Sequence, residues 1–252
     1  GAESLGLSYL RVADQVVVPK RGGFHEPLML LSYLAAFTER IEMVPSVLVA
    51  PSRQTALLAK QIVVLYALLE GRLRLGLGLG GNAKEYQAMG KSLSRRGYRL
   101  EEQIKLFRQL WSRDRVSFSL ADERFEGVGI SPRPNGEAIP IWIGVSPEPP
   151  VQALERIGRS ADGWFTMCRV DQFESQHKVV LESVKRSGRS ISDIGVEAEV
   201  SIANLVPENF ISLVKRWQDL GVSHISLSTL GLEGDSSSHL KVLAKALELL
   251  GK

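Results

Sequence analysis

The sequence predicts an α/β protein: a parallel sheet covered by helices on both faces, read as a (β/α)8 TIM barrel. Three observations lead there. Strand-like and helix-like segments alternate along the 252 residues. Several strands are short and apolar on both faces, the pattern of a sheet buried on both sides. Several strands also end in Gly or Ser. A doubly wound open sheet, the structural alternative, has a single switch point and does not predict that.

The elements follow in chain order. Ser8–Val12 reads as a strand ending at Ala13-Asp14, and Pro27–Thr38 as a helix with Leu28, Leu31, Leu34 and Ala35 on one stripe. Ile41–Val49 is a strand interrupted by Pro45. Ser52–Leu69 is an apolar helix capped by Ser52 and closed by Gly71. Leu73–Leu79 alternates Leu with Arg74, Gly76 and Gly78, a strand whose glycines suit close approach by a neighbouring element or a ligand. Arg99–Trp111 is a helix, and residues 116–135 are a hairpin-like excursion with short β-like runs over Val116–Ile130. Strands then begin at Ile139, Asp162, Val196 and His224. Helices follow at Val151–Ile157, Gln172–Arg186, Glu208–Leu220 and Ser238–Leu249.

These are seven strands where a closed barrel needs eight, and Gly1–Gly6 reads as the last turn of a helix with Gly6 as its C′ residue. The expectation is one domain over 1–252, with the first strand missing from this chain.

Composition narrows the function classes. Apolar content of 44% and charged content of 23% are those of an ordinary globular protein, and a formal charge of +3 without clustering gives nucleic-acid binding little support. No apolar run is long enough for a membrane span, and no signal peptide is visible. One cysteine, Cys168, is compatible with a reducing cytoplasm; with no basic partner adjacent, it reads as structural. His25, His177, His224 and His239 are scattered without ligand spacing, so no metal site is expected. Trp111, Trp142 and Trp217 read most simply as core.

Gly76–Gly81 fits G-x-G-x-x-G, but a dinucleotide fingerprint requires an amphipathic helix immediately after the glycines and an acidic residue after the next strand. Ala83–Arg96 is instead polar and broken by Gly90, so that reading is rejected.

Taken in order, a set of segments resembles the luciferase-like monooxygenase superfamily of flavin- and deazaflavin-dependent barrels. They include Ala13-Asp14-Gln15-Val16-Val17-Val18-Pro19, Pro45-Ser46-Val47-Leu48-Val49, Gly71–Gly90, Arg96-Gly97-Tyr98-Arg99-Leu100-Glu101-Glu102-Gln103, Ile139-Pro140-Ile141-Trp142-Ile143-Gly144 and Ala161-Asp162-Gly163-Trp164. The resemblance spans essentially the whole chain. It implies that ligands sit at the C-terminal ends of the strands.

The resemblance implies catalytic positions at Asp14 and Gln15; Asp14 also reads as a turn or helix cap. Relatives usually have His where Gln15 stands, and Gln cannot titrate, which leaves hydrogen bonding. It implies cofactor contacts from Ser46, Val47 and Leu48, with a cis Ser46–Val47 bond making a bulge; an ordinary bulge caused by Pro45 is the alternative. Gly78, Leu79, Gly80 and Asn82 would offer backbone donors and an amide. Leu79 stands where luciferase-type flavin enzymes carry a phosphate-binding Arg, so anion binding would lean on Gly144, Val145 and Ser146, which also read as a plain helix cap. Glu85 and Tyr86 read as a helix start, Trp164 as packing, and the Pro19–Pro27 connection as a short version of a loop that shapes the substrate pocket.

A site of glycines, Ser, Asn and one Asp suits a cofactor that brings its own reactivity. The resulting expectation is an oxidoreductase acting on a small organic substrate by hydride transfer or monooxygenation, with deazaflavin (factor 420) favoured and FMN the alternative. A homodimer is compatible with the resemblance. Rival readings are a catalytically silent relative and a cofactor-free lyase; no strand ends in the Lys that a lyase of the Schiff-base type would need.

Overall fold

A computed structural model describes residues 1–17, 24–120, 123–134, 136 and 138–251. Val18 and Pro19, with most of the Pro19–Pro27 connection, lie outside the described residues. The chain groups into two compact units, Ser8–Gly144 and Gly1–Leu7 with Val145–Lys252.

In the first unit, β1 (Tyr9–Val12) leads to α1 (Pro27–Ala35), then β2 (Glu42–Pro45) and β3 (Leu48–Val49). Next come α2 (Thr55–Leu68), β4 (Leu75–Gly78), α3 (Ala83–Ala88), α4 (Arg96–Ser112), the hairpin β5 (Val116–Leu120) and β6 (Glu123–Val128), and β7 (Ile141–Gly144). The expected single strand over Ile41–Val49 is divided. β2 pairs in parallel with β1, Val12 opposite Pro45, whereas β3 pairs in parallel with β4, Val49 opposite Gly78. Between them the Ser46–Val47 peptide is cis. β4 continues the ladder onto β7, Leu75 opposite Ile141.

The helix starts have local causes. Pro27 opens α1 with the Glu26 carboxylate accepting from Met29 N. α2 is capped by Gln54, whose side chain accepts from Leu57 N. Ser52, the expected cap, instead donates to the Val49 carbonyl at 2.8 Å within a short 3-10 turn. The glycines of β4 are followed by a helix after all, α3, but it has six residues and ends before Gly90, too short for a dinucleotide crossover.

Arg74 is the least expected core residue. It precedes β4 and is buried, its guanidinium lying 4.5 Å from the Tyr9 ring centre and 4.4 Å from that of Trp142, with Nε on Glu42 at 3.0 Å. A planar cation between two aromatic faces loses less on desolvation than an ammonium would.

In the second unit, α5 (Val151–Ser160), β8 (Gly163–Thr166), α6 (Phe173–Arg186), β9 (Gly195–Ser201), α7 (Pro207–Asp219), β10 (His224–Ser228) and α8 (Ser236–Leu249) alternate. β8, β9 and β10 form parallel pairs in that order. Trp164, fully buried, stacks on Phe173 at 6.0 Å and His177 at 6.3 Å, and Phe173 meets Trp217 edge-on at 5.4 Å. Burial holds the His177 imidazole below its ordinary range, so it stays neutral inside this stack. Gly1–Leu7 forms a helical turn closed by Gly6 at φ +78°, with Gly6 N–H donating to Glu3 and Leu7 N–H to Ala2, the paired bonds of a Schellman cap.

Replacing Arg74 by Lys keeps the charge and loses the flat stack. Urea unfolding of Arg74→Lys should show a loss of about 1–2 kcal/mol at an unchanged m-value.

Candidate functional site

Above a buried core, the C-terminal ends of the strands in the first unit are half-buried. Val12–Gln15 after β1, Ser46 and Val47 between β2 and β3, Leu79 and Gly80 after β4, and Gly144 at the end of β7 share that intermediate exposure. These residues form the accessible floor of the unit, and most of the expected site residues fall on it. Leu48 does not: its side chain is fully buried and its backbone pairs with Leu77. Val145 and Ser146 open the second unit, the former half-buried and the latter exposed.

Asp14 is held from two sides. One carboxylate oxygen accepts from Val49 N at 2.9 Å, and both oxygens accept from Arg53 Nη2 at 2.8 and 3.0 Å, the two side chains being 1% and 12% exposed. Arg53 also reaches the α1 cap Glu26 at 3.3 Å, and its carbonyl accepts from Gln103 Nε2 of α4 at 3.3 Å. Asp14 is therefore a positioning group: it fixes the end of β1 against the end of β3. Gln15 beside it is half-buried and, among the described residues, makes no side-chain hydrogen bond. Its amide is available to a ligand as donor and acceptor.

The glycines around Val47 fit a side chain of this protein. A Cβ added at Gly78 would stand 2.3 Å from Val47 Cγ2, and one at Gly144 would stand 2.6 Å from Val47 Cγ1. Gly80, at φ +60°, faces Val49 in the same way at 2.6 Å. Val47 is thus seated in a notch between the ends of β4 and β7. Arg11 anchors the neighbouring residue, donating to Ser46 Oγ through Nε at 3.1 Å and Nη2 at 2.9 Å. Gly81 has open space where its Cβ would be.

The segment after β4 closes the floor. Asn82 Oδ1 accepts from Lys84 N at 3.1 Å as the cap of α3, and its amide donates to the Val17 carbonyl at 3.3 Å. Glu85 is buried and accepts from Val16 N at 2.7 Å, so it latches the stretch following Gln15. Tyr86 donates its hydroxyl to the Leu79 carbonyl. Burial pushes the Tyr86 phenol up to about 12 against the opposing pull of Arg96 and Arg99. Glu123 of the hairpin accepts from Thr55 N at 2.9 Å and pairs with Lys91 and Arg99. Cys168 is buried, in contact with the Thr166 hydroxyl at 2.9 Å, and burial raises its thiol, which keeps it protonated and unreactive. Among the described residues no cluster of His, Cys, Asp and Glu can hold a metal, and no helix is long and apolar enough to cross a membrane.

Arg53, Glu26, Gln103, Arg11 and Glu123 were not readable as site supports from sequence alone. The one available signal was Arg53 itself, a cation just before an apolar helix, where the helix dipole favours the opposite charge.

Gly78→Ala should lower stability by about 1–3 kcal/mol through overpacking. Adding Val47→Ala should recover part of that loss, with a coupling of about 0.5–3 kcal/mol in a double-mutant cycle. Tyr86 predicts an alkaline limit. The unfolded chain releases its phenolic proton near pH 10 and the folded one near 12, so stability is complete below pH 10 and falls as pH rises through that window. Denaturant midpoints measured across it should decline, and less steeply in Tyr86→Phe.

A model of the family described as luciferase-like monooxygenase matches residues 1–204. The F420-dependent glucose-6-phosphate dehydrogenase of Nocardia farcinica is 30% identical over 233 residues, covering 88% of this chain and 68% of that protein. Among solved structures, an F420-dependent secondary alcohol dehydrogenase in complex with an F420-acetone adduct superposes with a TM-score of 0.83 at 14% identity, over 98% of this chain and 92% of the other. A monooxygenase from Streptomyces bottropensis gives 0.77 at 18% identity, over 100% and 91%. At these identities the structural likenesses show the fold alone, an α/β fold with a parallel sheet shared with those enzymes. With the family model spanning most of its length, the chain belongs to the luciferase-like monooxygenase family.

Proposed function

We propose that this protein is a deazaflavin-dependent oxidoreductase that moves a hydride to or from a small organic substrate. The observation that carries the reading is the uncharged floor at the strand ends: Gln15, Ser46, Val47, Leu79, Gly80 and Gly144 present amide, hydroxyl, backbone and apolar surface, and the acid among them, Asp14, is consumed by Arg53 and Val49. Such a floor fits a neutral ring system laid over Val47. Relatives named as F420-dependent support factor 420 over FMN. So does Leu79, which offers no charge to a flavin phosphate.

When bound, the deazaflavin supplies the carbon that gives or takes the hydride; the protein supplies orientation. Val47, seated on Gly78 and Gly144, would offer the ring system an apolar contact. Ser46, held by Arg11, and the Gln15 amide offer hydrogen bonds at its edge. Gly80, Gly81 and Asn82 offer donors to its side chain. Gly144, at the end of β7, is proposed as an anion contact. Gln15 holds no transferable proton, so any proton that accompanies the hydride comes from the substrate or from water.

FMN with monooxygenation is the second reading, supported by the likeness to a monooxygenase. A catalytically silent relative is the third, favoured by Gln15 in place of a titratable residue.

Fluorescence titration of the purified chain with factor 420 and with FMN separates these readings. Micromolar or tighter binding of factor 420, with FMN much weaker, is expected; binding of neither overturns the reading, and tight binding without turnover across alcohols, aldehydes and sugar phosphates supports the silent relative. Leu79→Arg should strengthen FMN binding by roughly tenfold or more, the worth of one charge-assisted contact to a phosphate.

A further inference from the structure

β6 buries an acid and leaves its apolar residues half-covered. Of its six residues Glu123 alone is buried, while Phe125 and Val128 stay half-exposed. That inverts the usual order of burial. A carboxylate with 5% of its side chain exposed is tolerated only where bonds replace the lost water. Glu123 has three of them. Oε2 accepts from the Thr55 N–H at 2.9 Å, and Oε1 accepts from Lys91 Nζ at 3.3 Å and from Arg99 Nη2.

Each partner belongs to a segment that leads away from a strand end. Thr55 is the first residue of α2, and its N–H finds no acceptor within the helix. Glu123 therefore caps α2 from outside, where the helix dipole favours a negative charge. Lys91 follows α3, and its own N–H donates to the Tyr86 carbonyl at 2.9 Å; the Tyr86 hydroxyl in turn donates to the Leu79 carbonyl after β4. Arg99 lies in the first turn of α4. Gln103, fully buried one turn further along α4, braces the same place. Its Nε2 donates to the Ala50 and Arg53 carbonyls at 3.1 and 3.3 Å and to Thr55 Oγ1 at 3.2 Å. Glu123 and Gln103 thus converge on residues 50–55, and Arg53, whose side chain holds Asp14, is among them.

We propose that Glu123 is a positioning residue for the floor at the strand ends. By holding the turn after β3 and the segment after β4 at once, it fixes Arg53 and, through Arg53, the Asp14 carboxylate that sets Val49 and the neighbouring Gln15. On the other side it steadies α3, whose Glu85 holds the Val16 N–H. Two features favour this role over ordinary packing. The bonds of Glu123 run to segments that end on floor residues from both sides, Val49 and Leu79. The strand that carries it buries nothing else, so its burial serves those bonds and not an apolar contact of β6. The inference rests on the function proposed above only for the ligand that the floor takes; the geometry of the floor can be read without one.

Hydrogen exchange of backbone amides, followed by NMR on the chain without ligand, tests the geometry. In Glu123→Gln the Val49 N–H, bonded to Asp14, and the Val16 N–H, bonded to Glu85, should exchange about tenfold faster or more, the effect of losing a bond to a charged group. Amides of β8 and β9 should keep their rates. Exchange raised alike in β4, β7, β8 and β9 would mark a role in overall stability and overturn the proposal, as would Val49 and Val16 amides that exchange as in the wild type. Glu123→Asp keeps the charge beside Lys91 and Arg99 but withdraws it from Thr55; it should reproduce the local effect and stands in if Glu123→Gln does not fold. If neither variant folds, Glu123 supports the fold itself and the proposal falls. Fluorescence titration with factor 420 then reads the consequence: binding about tenfold weaker in either variant is expected, and wild-type affinity in a loosened floor overturns the role. If the wild type binds no factor 420, the proposed function fails and the exchange rates alone decide the role of Glu123.

Discussion

Five segments of the first unit meet at one buried ion pair. Asp14 fixes the end of β1 to the Val49 amide and to Arg53; Arg53 adds the start of α1 through Glu26 and the start of α2 by its own position, and Gln103 brings α4 onto its carbonyl. Two charges removed from water gain little net stability by meeting, because desolvation offsets most of the attraction. What they do is penalise every alternative placement, since either charge left alone in that interior is costly. The pair decides where the loops after β1 and β3 lie, and so where Gln15, Ser46 and Val47 stand.

Much of the architecture could be read from local pattern. β10 lies at His224–Ser228, where alternation placed it, and the helices keep their expected cores with ends displaced by a few residues. What could not be read was long-range. Pro45 marked an interruption, yet nothing local states that the two halves of that segment pair with different strands, β2 with β1 and β3 with β4. Ser52 is the better cap by type, but a 3-10 turn moved the helix start to Gln54. Arg74 occupied a polar slot in an alternating strand; its burial depends on Tyr9 and Trp142, residues from other strands, which no window around Arg74 contains.

The glycines at the strand ends show how one sequence signal divides into two physical causes. Gly78 and Gly144 lack side chains because Val47 occupies the space, and Gly80 because Val49 does. Read from sequence, Gly78 suited a neighbour or a ligand, and Gly80 and Gly144 were expected as cofactor contacts. The structure gives that space to a neighbour, and the consequence for the site is indirect. By accepting Val47, the glycines raise the Ser46–Val47 segment against the ends of β4 and β7 as an apolar ledge. Gly81, with open space around it, is where close approach by another molecule is still unobstructed.

The carboxylates near these strand ends complete the same logic. Asp14 accepts the Val49 amide, Glu85 that of Val16, Glu26 that of Met29, and Glu123 that of Thr55. Each is engaged by a backbone N–H that would otherwise lack a partner in a loop or first helical turn, and three of them, Asp14, Glu26 and Glu123, carry an arginine as well. A carboxylate committed in this way is occupied in holding the backbone in place. What faces outward between them is amide, hydroxyl and hydrocarbon. A surface of that kind can bind and orient but has little reactivity of its own, so the chemistry proposed for it must arrive with the molecule that it binds.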